Sequence, residues 1–249
     1  MASQTFSIWL LPPPSHPLRP LLSDLIHRTL PGAFPHLAAS PTANPPVAPH
    51  FFPPHITLAS SIPAAHTAED APGGPQAFLE RVFAPLLQGN DDDGEKTGFK
   101  VRVRPGEVDG QDHFFRRCFV RIGLDGGVRT LAGVATAGAV LGEEVSVVGT
   151  GADGELEVSF GEKTQQWLRW WEEAYGPHLS LMYGDQPISG ETLKKVAEMV
   201  REAGVRPAKD VVQDESQHDG EGWEGGEIWL VPTYKPISEW SKPIATIQL

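Results

Sequence analysis

Two short stretches constrain this chain more than any other feature. They are "PPHITLAS", residues 53–60, and "GPHLSLMYGD", residues 176–185. Each enters from proline, places a histidine, skips one position, places a hydroxyl and continues into leucine. In an extended strand, residues i and i+2 project from one face. His55 and Thr57 therefore point one way, with Ile56 and Leu58 opposite them. His178 and Ser180 likewise share a face opposed by Leu179 and Leu181. A fold that satisfies both strands must bury two aliphatic rows and present two imidazole–hydroxyl pairs. A single His-x-Thr is a weak signal. Two copies in matching settings, about half the chain apart, predict two similar lobes facing each other, although no wider repeat accompanies them.

The chemistry of those side chains suits acid–base work. Imidazole titrates near pH 6.5, so one copy can take a proton while the other gives one. A hydroxyl beside each ring can donate to a phosphoryl oxygen. The arrangement requires no metal and no cofactor. Two histidines could contribute to a metal site, but no Cys, His or carboxylate cluster at ligand spacing accompanies them. A lone strand histidine in the core is the bland alternative for either copy.

The rest of the chain supplies a scaffold. "TFSIWLLPPP" predicts a strand stopped by Pro12, Pro13 and Pro14. In "PLRPLLSDLIHRTL", residues Leu21, Leu22, Leu25, Ile26 and Leu30 recur at helical spacing. Residues 31–54 are rich in Pro, Ala and His and predict an irregular loop before the strand "HITLAS". A helix is predicted around Gln76 to Leu87, and "NDDDGEK" is a charged turn. "FKVRVRPGEVDGQDHFFRRCFVRIGL" predicts two strands around a Gly/Asp loop. Arg102 and Arg104 alternate with valines there, which fits a solvated face or a basic ledge for phosphate.

"GGVRTLAGVATAGAVLGEE" predicts a helix, and the glycine-rich, acidic stretch 141–162 predicts loops. Trp167, Trp170 and Trp171 fall at i, i+3 and i+4 of an amphipathic helix and predict one buried stripe. "SGETLKKVAEMVREAG" is a helix capped by Ser189 and stopped by Gly204. "DESQHDGEGWEGG" predicts an acidic loop, and "EIWLVPTYKPISEW" a strand near an edge. Cys118, in the strand-like "FFRRCFVRI", reads as a buried core thiol.

Composition narrows the partners. The formal net charge is −12, which argues against a long nucleic acid held through its phosphates. A small phosphorylated ligand needs only a few local donors. The lone cysteine fits a reducing compartment. No run approaches the roughly 20 apolar residues of a membrane span, and the N-terminus lacks a basic leader. The reading is a cytoplasmic monomer with a small-molecule partner.

With these residues in hand, the chain resembles the 2H phosphoesterase superfamily, and within it the cyclic phosphodiesterase family of fungal and plant type. "FSIWLLP", "PPHITLA", "PHLSLMYGD" and "IWLVPTYKPISEW" carry the resemblance and bracket nearly the whole chain. It implies an α+β fold over residues 1–249: one two-lobed domain, with two antiparallel sheets flanking a central cleft and helices outside. It implies hydrolysis of nucleoside 2′,3′-cyclic phosphates to 2′-phosphates, and opening of ADP-ribose 1″,2″-cyclic phosphate, a by-product of tRNA splicing.

By motif matching, His55 and His178 are the acid–base pair, in either order, and Thr57 and Ser180 hold the phosphate. Tyr183 matches a position lining the site, provided the strand ends or twists near Gly184. Trp9 lies in the matching opening strand as a nucleoside contact or a core residue, and Tyr234 is a weaker candidate. His16, His27, His36, His50, His66, His113 and His218 lack the motif context and read as surface or structural. Two other readings stay open: an RNA-end enzyme of the same superfamily, resembling 2′-5′ RNA ligases or 3′-end exonucleases, and a nucleotide-binding module without catalysis.

Overall fold

The computed structural model of the chain describes residues 4–38, 50–64, 73–87, 99, 101–123, 125–150, 156–207 and 222–249. "NDDDGEK", His66, His218 and the acidic loop as far as residue 221 lie outside the described residues. The chain opens with β1 (Thr5–Leu11), then α1 (Leu18–Asp24), a π turn over Leu25–Thr29, and the short α2 (Leu30–Ala33) and α3 (Pro35–Ala38). Next come β2 (Ile56–Pro63), α4 (Gly74–Leu87), β3 (Arg102–Val103), β4 (Pro105–Asp109) and β5 (Cys118–Ile122). The middle holds α5 (Gly126–Thr136), β6 (Val145–Thr150), β7 (Leu156–Phe160) and α6 (Glu162–Trp170). The chain ends with β8 (His178–Met182), α7 (Gly190–Glu202), β9 (Trp223–Glu224), β10 (Glu227–Val231) and β11 (Ala245–Gln248).

The class is α+β. Seven strands form one antiparallel sheet in the order β11-β10-β1-β2-β8-β5-β4, while β3–β9 and β6–β7 are separate ribbons. β1 pairs along its length with both β10 and β2, and β5 pairs likewise with β8 and β4. β2 and β8 meet at one residue pair, Ile56 with Leu179. In place of two separate sheets, two sheet halves are thus stitched together at a single point. Residues Phe6 to Leu11 of β1 are all buried, as a central strand covered on both faces requires.

Several local expectations change. Leu22, Leu25, Ile26 and Leu30 are buried, but Leu21 is 38% exposed, because the core-facing stripe runs through Leu18, Leu22 and Leu25. The predicted loop from residue 31 begins instead with α2 and α3, each with a proline at its start (Pro31, Pro35), where a missing N–H costs nothing. The stretch 141–162 contains the β6–β7 hairpin; "LEVSF" alternates, with Phe160 buried and Leu156 and Val158 half-buried, and Val145 opposite Phe160 packs on the same core.

The tryptophan stripe is wrong in membership. Thr164, Leu168 and Trp171 face the core at i, i+4 and i+7, Trp167 is half-buried, and Trp170 is 50% exposed. Cys118 is fully buried, which pushes its thiol up to about 12. Ser189 caps α7 by accepting from the Thr192 N–H, and Gly204 follows at a positive φ of 94°.

The end of β8 is fixed with particular care. Arg117, 4% exposed, donates from Nε to the Gly184 carbonyl (3.0 Å), from Nη2 to the Asp185 carbonyl (3.2 Å), and pairs through Nη1 with Asp112 (2.8 Å). The Gly184 N–H donates to the Phe114 carbonyl. A Cβ at Gly184 would lie 2.2 Å from the Leu37 carbonyl oxygen, a backbone atom of α3 that cannot swing aside. Gly184→Ala is expected to lower stability by about 1–3 kcal/mol through this overpacking, read as a lowered urea midpoint; an unchanged midpoint would contradict the account.

Candidate active site

The two histidine motifs sit where, among the described residues, the two sheet halves pair strand to strand. His55 immediately precedes β2 and His178 begins β8. Ile56 and Leu179, the residues that follow them, are partners. In an antiparallel register each step along one strand is a step back along the other. The Ile56–Leu179 pair therefore sets His55 across from Ser180 and Thr57 across from His178. All four side chains line one cleft of about 340 Å³, within the size range of small-ligand sites. Behind them Ile56, Leu58, Leu179 and Leu181 are buried. The alternation read from the sequence holds in both strands.

Both imidazoles are held in the same way. His55 Nδ1 lies 2.7 Å from the Pro53 carbonyl, and His178 Nδ1 lies 3.0 Å from the Gly176 carbonyl. A carbonyl only accepts, so each Nδ1 carries the proton and each Nε2 keeps a lone pair. Pro53 and Gly176 both precede a proline, which drives their backbone away from the helical region. Proline at the intervening position offers no competing N–H. The "PPH" and "GPH" entries are thus a backbone device that fixes the tautomer.

Ring packing completes each setting. Trp9, opposite Thr57 in the β1–β2 register, stacks on His55 at 3.6 Å and 14°. It is 2% exposed, and its other neighbour, Trp240, meets it edge-on. Trp9 thus serves as the plane behind an imidazole. His178 lies between the rings of Phe119 and Tyr175, at 5.0 and 5.1 Å. Burial is the main cause that lowers both histidines, His55 to about 3 and His178 to about 4. The carbonyl hydrogen bonds oppose this shift. The charge of His178 adds to it at His55, and those of Arg116 and His113 add to it at His178. Both rings are neutral at pH 7.

Ser180 Oγ is engaged, donating to the Phe115 carbonyl at 3.0 Å, while the Tyr183 and Tyr175 phenols share the cleft with Ser180 and Thr57. β8 ends at Met182, so Tyr183 escapes the strand alternation and lines the cleft, stacked on Phe52 at 3.9 Å. Tyr234 is 43% exposed against Phe6, and Thr233 lines the cleft in its stead.

Several lining residues were not among the candidates, and Tyr175, His113 and Arg116 are the titratable ones. Tyr175 lies just before the second motif, at the end of a π turn that the helix pattern concealed. His113, read as surface or structural, borders the cleft. Arg116 lines it as well, buried and with no hydrogen-bond partner at Nε; it sits in the turn Phe114–Arg116 before β5. The only sequence signal for it was a pair of adjacent arginines before an apolar strand. The proposed ledge residues Arg102 and Arg104 do not line the cleft, and Arg102 pairs with Glu224. Among the described residues, no three of His, Cys, Asp and Glu are gathered as metal ligands would be. No described helix is long and apolar enough to cross a membrane.

A family model for cyclic phosphodiesterase-like proteins matches residues 3–249. A Neurospora crassa protein named 2′,3′-cyclic-nucleotide 3′-phosphodiesterase is 43% identical over 239 residues, covering 96% of each chain. A Phaeosphaeria nodorum protein of the same name is 31% identical over 245 residues, covering 98% of each. The solved structure of Kluyveromyces marxianus Usb1 aligns over 99% of this chain and 98% of its own at 13% identity and a TM-score of 0.37, too remote a likeness to bear on function.

The histidine setting has a pH signature. The unfolded chain takes up these protons near pH 6.5, and the folded chain only near 4 and 3. Stability is therefore full above pH 6.5 and falls as pH drops toward 4, by up to about 1.4 kcal/mol per pH unit for each ring. A His55→Gln, His178→Gln double variant should show a flatter fall between pH 6.5 and 4.5 in urea titrations. Parallel slopes in variant and wild type would refute the neutral, buried state of the pair.

Proposed function

The chain belongs to the cyclic phosphodiesterase-like family, and from that premise we propose that it hydrolyses nucleoside 2′,3′-cyclic phosphates to 2′-phosphates with His55 and His178 as its acid–base pair. The observation that carries this reading is the pairing of two imidazoles across one small cleft, each with Nδ1 tied to a carbonyl and Nε2 left with a lone pair.

In this mechanism one Nε2 takes a proton from water as its oxygen attacks phosphorus. The bond between phosphorus and the 3′-oxygen breaks, and the other imidazole, protonated when the anionic substrate is bound, delivers its proton to that oxygen. Attack and departure lie on opposite sides of phosphorus, which suits catalysts carried on two separate strands lining one cleft. Each group positioned in this way contributes roughly 10² to 10⁴ in rate. Ser180 turns its hydroxyl from the Phe115 carbonyl to a phosphoryl oxygen, and Thr57 donates to another. Trp9 supports His55, and its ring face favours the imidazolium form. Tyr183, stacked on Phe52, shapes the wall where the nucleoside enters.

The two sheet halves joined at Ile56–Leu179 are the lobes of one two-lobed 2H domain, working as a cytoplasmic monomer. ADP-ribose 1″,2″-cyclic phosphate presents the same five-membered ester of a vicinal diol and is the second substrate class. The acidic balance of −12 and the small cleft favour such compounds over an RNA end.

His55→Ala and His178→Ala should each retain their melting midpoint and lose at least about 100-fold in kcat on a nucleoside 2′,3′-cyclic phosphate. Full activity in either folded variant would reject the mechanism. Faster turnover of an oligonucleotide ending in a cyclic phosphate than of the mononucleotide would favour the RNA-end reading. Tight binding of the 2′-phosphate without turnover by wild type would favour the binding module.

A further inference from the structure

We propose that Arg116 is the phosphate-binding cation of this cleft, closing its guanidinium on the non-bridging oxygens of the cyclic ester while the two imidazoles act on either side. The proposal rests on the reading of the cleft as a phosphodiesterase site and adds to it a residue outside both histidine motifs.

The adjacent arginines supply the contrast. Arg117 has its side chain consumed by the fold: two carbonyls and the Asp112 carboxylate take its Nε, Nη2 and Nη1. Arg116 is nearly as buried, at 8% exposure. Yet among the described residues it has no ion pair, and its Nε has no hydrogen-bond acceptor. The carboxylate whose field reaches it, Asp109, is bound by Arg121. What surrounds the guanidinium is aromatic. It lies 5.0 Å from the centroids of both Phe119 and Tyr175. Ring faces attract a cation but accept few of its five N–H donors. A buried charge without acceptors is costly, and a planar donor fork matches phosphate oxygens two at a time. An anionic ligand is the missing partner.

The placement fits that role. Arg116 lines the same cleft as the four motif residues. Its Nη2 lies beside Gly176, 3.8 Å from where a Cβ would stand, and the Gly176 carbonyl holds His178 Nδ1. The same two rings that flank the guanidinium flank His178. Arg116 therefore faces the phosphate from the His178 side, and its field disfavours a proton on that ring while the cleft is empty. A bound phosphate anion cancels that field. Negative charge on the non-bridging oxygens grows as water attacks, so a fixed cation there stabilises the transition state more than the bound ester.

Arg116→Met and Arg116→Lys test this with two readouts, the shift of melting midpoint on adding inorganic phosphate and kcat/KM on a nucleoside 2′,3′-cyclic phosphate. Wild type should show a phosphate-induced rise, and so should a His55→Ala, His178→Ala double variant. Arg116→Met should show none, should lose at least about 100-fold in kcat/KM, and should melt without ligand at or above the wild-type midpoint, since an unpaired buried charge is gone. Arg116→Lys, a point charge without the fork, should recover part of both. A wild-type phosphate shift or wild-type kcat/KM in Arg116→Met would overturn the proposal, as would a lowered midpoint with catalysis intact. If Arg116→Met fails to fold, Arg116→Lys decides: an undiminished phosphate shift overturns the proposal, and a reduced one supports it. A phosphate shift that depends on Arg116 in a protein that turns over no cyclic ester would leave this inference standing and reject the enzymatic reading instead.

Discussion

The structure turns on one pair of backbone partners, Ile56 and Leu179. Each half of the sheet is held by long ladders of its own, and among the described residues this is the one ladder pair between them. Because side chains alternate with a period of two, the register at that point decides what faces what. A slip of one residue would turn His55 and His178 into the aliphatic layer and bring Ile56 and Leu179 to the cleft. The burial of Ile56, Leu58, Leu179 and Leu181 makes such a slip costly on both strands at once. The hydrophobic pattern therefore does more than hold the halves together: it aims two imidazoles into a common space.

The surroundings of those imidazoles set opposing demands. Burial strips water from them and disfavours their charged forms, while carbonyls at Nδ1 and the indole of Trp9 offer compensation that improves when a ring is protonated. The result is a pair of neutral bases whose protonation depends on what else enters the cleft. The buried cation Arg116 belongs to the same balance, held between aromatic rings and poised against the next available anion. Its neighbour Arg117 shows what the same side chain looks like when the fold itself supplies the acceptors. Function and stability are divided between two consecutive residues of one type.

Much of this was legible in the chain before any coordinates. The strand faces around His55 and His178, the extended opening strand, the Ser189 cap and the buried state of Cys118 follow from periodicity, proline and composition, which act over a few residues. Local pattern misled where the outcome depended on a neighbour. Trp170 shares helical spacing with Trp171, yet only Trp171 is buried, because the stripe through Thr164 and Leu168 is the face that packs on α5. The β6–β7 hairpin lay hidden in glycine-rich sequence because its short strands are fixed by each other and by distant α4 and α5, on which they pack. His113 and Tyr175 carried no motif at all.

The order of residues alone dictates which side chains could share a face and which protons the histidines could hold. Strand alternation and the residue before proline are short-range constraints, indifferent to the rest of the fold. It did not determine that His55 would stand across from Ser180, that Trp9 would lie flat against an imidazole, or that Arg116 would be buried between rings with no acceptor at its Nε. Those outcomes depend on contacts between residues far apart in the chain. Only tertiary packing decides which donors find acceptors inside the protein and which remain open to a ligand.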